Sequence, residues 1–150
     1  IQDITPHTYH NEYRPVQPEA ESLLLYFEGD LVLVSGGRTD SVFPLFPIFL
    51  TLRQSCPKNF LAGAIDEQTF YLARRRPSFD EALFEMKSSR IFRDTPPEWL
   101  SFAGITAHQL YHWYDSHRFC GKCGHPLVHS LKERMLQCPD CGIMEYPKIS

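Results

Sequence analysis

Short apolar runs separated by polar turns dominate the first half of the chain. "SLLLYF" (22–27) and "LVLV" (31–34) flank Glu28-Gly29-Asp30, which predicts two buried strands joined as a hairpin. Gly36-Gly37 closes it. "FLAGAI" (60–65) and "TFYLARR" (69–75) flank Asp66-Glu67-Gln68 and predict a second hairpin. Between them, "VFPLFPIFL" (42–50) is broken by Pro44 and Pro47. Proline has no amide to give to a ladder, so this stretch reads as loop or edge, followed by a short helix near 47–54. Residues 1–22 hold three prolines and little periodicity, and are expected to run as an extended surface arm.

Two helix starts follow. Ser78 and Glu81 in "SFDE" form a capping box, whose hydroxyl and carboxylate would satisfy free amides at a helix end, and predict a helix over 79–87. Thr95 and Glu98 repeat the pattern in "TPPE", with Pro96 at the first helical position. Helical character continues through "WLSFAGITAHQLYHWYDSH", with an irregularity expected at Gly104. Leu110, Trp113 and Tyr114 share one face, which should pack on the sheet.

Composition narrows the function classes. A chain of 150 residues with 43% hydrophobic residues can bury a core, and a formal charge of −3 gives no general attraction for nucleic acid. No apolar run approaches the ~20 residues of a membrane span, and no secretory signal is read at the start. The chain begins at Ile1 rather than Met, which suggests a processed piece of a longer product. Five cysteines, one of them standing alone at Cys56, fit a reducing, cytoplasmic compartment better than a disulfide scaffold.

The candidate chemistry lies near the end. Cys120, Cys123, Cys138 and Cys141 form C-x2-C-x14-C-x2-C. In each tight turn two sulfurs converge, with Gly121, Gly124 and Gly142 relieving the backbone, and two such knuckles make a tetrahedral four-sulfur site that suits Zn2+. A redox dithiol needs only one pair, disulfides are the other alternative, and iron can occupy the same sulfurs. Such a closed site leaves no position for water or substrate, so its expected role is folding. A segment of about thirty residues is too small for its own core, whereas zinc ligation is worth an apparent ~10–16 kcal/mol.

Other groups have ordinary explanations. His108 and His112 are spaced i, i+4, but no third ligand stands near them in sequence, so they read as satisfied or exposed histidines. Glu81 and Glu85 read as a wet helix face, Arg74-Arg75-Arg76 as a solvated strand end and Cys56 as a buried thiol. No G-x-x-x-x-G-K-[ST], G-x-G-x-x-G or G-x-S-x-G motif occurs. The fold class expected is α+β: a small, mainly antiparallel β domain with two helices, followed by a four-cysteine zinc ribbon. The divisions fall at 1–94, 95–116 and 117–150.

"HWYDSHRFCGKCGHPL" and "CPDCGIMEYPKIS" resemble the zinc ribbon and flanks of the NADH pyrophosphatases (NAD+ diphosphatases) of the Nudix hydrolase superfamily. "TPPEWLSFAGITAHQL" and the two hairpins resemble the family's N-terminal, Nudix-like domain that lacks catalytic residues. The resemblance implies a homodimeric parent enzyme that hydrolyses NAD(H), and also NAD-capped RNA, to AMP and nicotinamide mononucleotide. It implies structural Zn2+ on Cys120, Cys123, Cys138 and Cys141, and a nucleotide-stacking role for Tyr146, the aromatic residue just past the last ribbon cysteine. A ring that merely packs the ribbon on a following domain is the other reading of Tyr146. The family's G-x5-E-x7-R-E-x2-E-E-x-G box, whose carboxylates hold Mg2+ or Mn2+, does not occur in the chain. Residues 1–150 are therefore expected to be the structural, dimerising part, inactive alone. A different class remains open: a free-standing ribbon binding RNA or a protein partner, weakly, since Lys122, Lys132, Arg134 and Lys148 are offset by Asp115, Glu133, Asp140 and Glu145.

Overall fold

The computed structural model describes residues 3–13, 22–35, 60–93 and 97–148, with the backbone alone for 60–62. Gly36-Gly37, the 42–50 run, the helix expected at 47–54, Cys56, Thr95 and Pro96 lie outside these residues.

The second predicted hairpin forms the centre of one sheet. Strands β5 (Phe60–Ile65) and β6 (Gln68–Leu72) pair antiparallel across a turn at Asp66-Glu67. Asp66 adopts φ 51°, a conformation that short polar side chains tolerate best. Strand β1 (Tyr9–His10), from the predicted extended arm, adds to the β5 edge, and β2 (Leu23–Leu25) adds to β6 in parallel. The order is β1-β5-β6-β2.

The first apolar run divides between two sheets. After β2 the chain continues as β3 (Phe27–Glu28), which pairs antiparallel with β4 (Leu31–Ser35), so the predicted hairpin forms only at its tip. Its residues are buried on both faces: Leu23, Leu25 and Phe27 join one apolar cluster, while Leu24 and Tyr26 join another with Leu33, Tyr71 and Phe84. That two-sided burial accounts for a continuous apolar run where alternation would mark a half-exposed strand.

The helix expected over 79–87 is absent. Its place is taken by a turn and strand β7 (Phe84–Ser88), which pairs with β4 from Leu31↔Ser88 to Ser35↔Phe84. Asp80 makes the turn: its side chain accepts the Ala82 amide at 2.9 Å, and its carbonyl accepts those of Leu83 and Phe84 at 3.0 and 2.9 Å. So short a helix has little stability of its own, and five residue pairs with β4 outweigh the capping signal. A 3-10 turn at Ser89–Arg93 follows, leaving one α-helix among the described residues. The α+β class holds.

Helix α1 (Glu98–Ser116) starts after Pro97, whose carbonyl accepts the Leu100 and Ser101 amides. Leu100, Ala103, Ala107, Leu110 and Tyr114 recur every three or four residues and are buried against the sheet with Phe70 and Leu72. Gly104 does not interrupt the helix. It lets α1 press on the 3-10 turn, since a Cβ at that position would lie 2.4 Å from the Phe92 ring. No helix among the described residues is long and apolar enough to cross a membrane.

Candidate metal centre

Helix α1 ends where the cysteine-bearing segment begins. The His117 amide donates to the Trp113 carbonyl at 3.0 Å and Ser116 Oγ to that of His112 at 2.8 Å, so the "HWYDSH" sequence satisfies its own last carbonyls. The Arg118 guanidinium pairs with Asp115. Phe119 bridges to Pro126, and the Leu127 amide donates to the Arg118 carbonyl at 2.9 Å. A three-stranded sheet of β8 (Val128–His129), β9 (Leu136–Gln137) and β10 (Met144–Glu145) completes the ribbon.

The two knuckles repeat one backbone plan. Gly124 donates its amide to the Cys120 carbonyl at 2.9 Å, and Gly142 does the same to Cys138 at 3.1 Å. The Cys120 and Cys138 amides then donate to the carbonyls of His125 and Ile143, both at 2.8 Å. Gly124 and Gly142 take φ of +79° and +77°, where a side chain would be strained; Gly121 takes an ordinary φ.

All four sulfurs converge. Cys120 Sγ lies 3.5 Å from Cys141 Sγ, Cys123 Sγ lies 3.3 Å from Cys138 Sγ, and all four fall within 4.8 Å of one another. These separations exceed a disulfide bond, and no disulfide joins the four cysteines. A Zn–S bond of about 2.3 Å implies S···S edges of about 3.8 Å, so one zinc ion fits among them with slight expansion of the two shortest contacts. Backbone amides of Cys123 and Lys122 pull the Cys120 thiol down, and those of Cys141 and Asp140, against burial, pull Cys138 down. At Cys123 and Cys141 the His125 and Ile143 amides act in the same sense, but burial and the neighbouring sulfurs outweigh them and push both up. Full ionisation of the four needs a cation between them.

The ribbon is docked on the rest of the chain. Leu136 belongs to the large apolar cluster, and Leu127 packs against it. His129 lies between the Tyr114 hydroxyl at 2.9 Å and the Ser130 carbonyl at 2.5 Å; its Nδ1 donates to the carbonyl, leaving Nε2 to accept from Tyr114. Buried Arg134 donates to both the carbonyl and the side chain of Asn11, at 3.2 and 2.6 Å, tying the ribbon to the N-terminal arm. Sequence reading treated Arg134 as surface charge, because nothing in the pattern announces a partner so far away along the chain.

Tyr146 stands just past β10, 49% exposed, with its hydroxyl donating to Glu133 at 3.2 Å. The other singled-out groups lie elsewhere. Glu85 pairs with Lys87 at 3.1 Å on a strand, so it shares no helical turn with Glu81. Arg76 pairs with Glu28 at 2.5 Å and Arg74 lies over the Tyr114 ring, while all three arginines of the run are exposed, as expected of a solvated strand end. A cleft of about 390 Å3 opens between Glu28, Arg74, Tyr111, Tyr114 and Arg118.

Comparison with known proteins follows the same geography. The family model of the NADH pyrophosphatase zinc ribbon domain matches residues 115–146. A protein of Stutzerimonas stutzeri named NAD-capped RNA hydrolase NudC is 46% identical over 44 residues, 29% of this chain and 16% of the relative. One of the same name from Chromobacterium violaceum is 46% identical over 48 residues, 32% of this chain and 18% of the relative. The like-named protein of Mannheimia succiniciproducens is 28% identical over 94 residues, 61% of this chain and 34% of the relative. The matched part of the chain thus spans between a sixth and a third of these relatives. Residues 115–146 match the NADH pyrophosphatase zinc ribbon, and over that segment the resemblance read from the sequence is borne out.

Proposed function

We propose that this chain is the N-terminal and zinc-ribbon part of a NAD+ diphosphatase that hydrolyses NAD(H), and NAD-capped RNA, to AMP and nicotinamide mononucleotide. The observation that carries the proposal is the convergence of four sulfurs inside the segment that matches the family's ribbon. Cys120, Cys123, Cys138 and Cys141 are the ligands of a structural Zn2+, which supplies fold and no open coordination position. Residues 1–150 are inactive by themselves, because no Nudix box occurs among them; Mg2+ or Mn2+ would be held by carboxylates outside this chain.

Tyr146 is the one substrate contact proposed here. Its half-exposed ring can cover a planar base without reading its edges, and Glu133 fixes its hydroxyl. A homodimeric assembly is supported by exposed apolar side chains on the ribbon, Phe119, Val128, Leu131 and Met144. The test is release of AMP and nicotinamide mononucleotide from NAD+ by residues 1–150 and by the protein that contains them. Turnover by the longer protein alone is expected, with a Tyr146→Ala variant raising KM about tenfold, in keeping with ~1–3 kcal/mol per stacked base. Turnover by residues 1–150, or no turnover by the longer protein, would sink the proposal.

A further inference from the structure

Far from the ribbon, the fold joins three metal-ligating side chains that the sequence keeps apart. Asp30 sits in the turn between β3 and β4, while His108 and His112 stand one turn apart on α1. His108 Nε2 lies 3.1 Å from His112 Nε2 and 4.0 Å from Asp30 Oδ1, and the three ligand atoms fall within 4.8 Å of one another. The Gly29 carbonyl oxygen accepts a hydrogen bond from the same His108 nitrogen at 3.1 Å, and an ion bound at that nitrogen would displace its proton. The third ligand whose absence argued against this histidine pair in the sequence comes from another element.

The donors are held in place by their surroundings. The Gly29 amide donates to Tyr111 Oη at 2.9 Å, and the Ser89 amide donates to the Asp30 carbonyl at 2.7 Å, fixing the turn from both sides. The His108 ring is 19% exposed and packs on Phe27, with centroids 4.9 Å apart, so its aim toward the turn is set by the core. The Asp30 carboxylate is 87% exposed and can swing inward to close the longest gap. Two nitrogens bound at about 2.0–2.1 Å to one ion lie about 2.8–3.0 Å apart at a right angle and about 3.3–3.4 Å apart at the tetrahedral angle, and the observed separation falls between the two.

We infer that Asp30, His108 and His112 form a second metal site, which takes a late first-row divalent cation such as Zn2+, Ni2+ or Co2+ and ties the β3–β4 turn to α1. Two imidazoles favour these ions over Mg2+ or Ca2+, which prefer all-oxygen sets. The carboxylate reduces the ion's charge, and remaining positions are open to water. The site is independent of the ribbon and of the NAD+ diphosphatase reading.

The test uses the whole chain carrying one zinc ion in the ribbon. Ni2+ is titrated in by calorimetry while histidine ring signals are followed by NMR. One further ion is expected to bind, with paramagnetic broadening at His108 and His112 and a rise in the thermal unfolding midpoint. His112→Ala should weaken binding about tenfold or more and abolish the rise, since even outer-shell changes commonly cost about 10–100-fold. Asp30→Asn should weaken it several-fold. Both side chains are exposed, so both variants should fold. The inference is overturned by no ion beyond the ribbon's, by unchanged affinity in either variant, or by broadening confined to His7 and His10.

Discussion

The body of the molecule and its ribbon are held together by different physics. In the body, Leu25, Val32, Leu33 and Phe70 are fully buried, and one face of α1 closes over the sheet. In the ribbon, every strand is two residues long, and Phe119, Val128 and Leu131 are exposed. Its buried residues are few: Cys120, Arg134, Met135, Leu136 and Cys138. Apolar burial of this extent holds a body but not a ribbon, whose stability has to come from the ion its sulfurs surround and from docking through Leu136, His129 and Arg134. Loss of metal and loss of core packing should therefore damage different parts of the molecule.

The largest effect is expected from the ligands. Cys138→Ser should abolish stoichiometric zinc, measured by elemental analysis, and melt the ribbon, because an apparent ~10–16 kcal/mol of ligation energy is lost while the body keeps its far-UV signal. Phe70→Ala acts on the other region. Its ring is fully buried in the large cluster, so urea unfolding should show a loss of about 3–5 kcal/mol, with zinc still bound at one ion per folded chain.

Gly104→Ala is a smaller, sharper break in the body. Its methyl would meet the Phe92 ring at 2.4 Å, so the better helix former should destabilise by about 1–3 kcal/mol in the same assay. The smallest effect concerns Asp66, whose carboxyl is held below its usual range by the His7 side chain and the Thr8 amide. A depressed carboxylate stabilises above its unfolded pKa, and that contribution is lost as pH falls through the acid range. Asp66→Asn keeps a residue that tolerates φ 51° but removes the titration. The difference in urea midpoint between wild type and variant should therefore be present at pH 7 and fade as pH falls below the usual carboxylate range.

What the sequence made legible follows the same division. The knuckles are short-range: two cysteines, a glycine and a turn, all within a few residues, so convergence of the four sulfurs could be read from spacing. The β5–β6 hairpin and the buried face of α1 were equally local. Tertiary pairing decided the rest. "SFDEALFEMKSS" carries a genuine capping signal, yet β4 offers Phe84 a buried site and its neighbours a ladder, so the segment extends. Gly104 reads as a weakness in a helix until Phe92 is seen against it. Parallel pairing of β2 with β6, the Arg134–Asn11 tie and the meeting of Asp30 with His108 and His112 depend on residues distant in sequence, and no periodicity encodes them.

The contrast between metal-held ribbon and apolar-held body is tested most directly by amide hydrogen exchange, read by mass spectrometry on the zinc-loaded chain and after chelation. Chelation is expected to strip protection from 117–148, while 23–35, 65–73 and 100–114 stay protected. Retained protection in the ribbon after zinc removal, or an equal loss across both regions, would contradict that contrast.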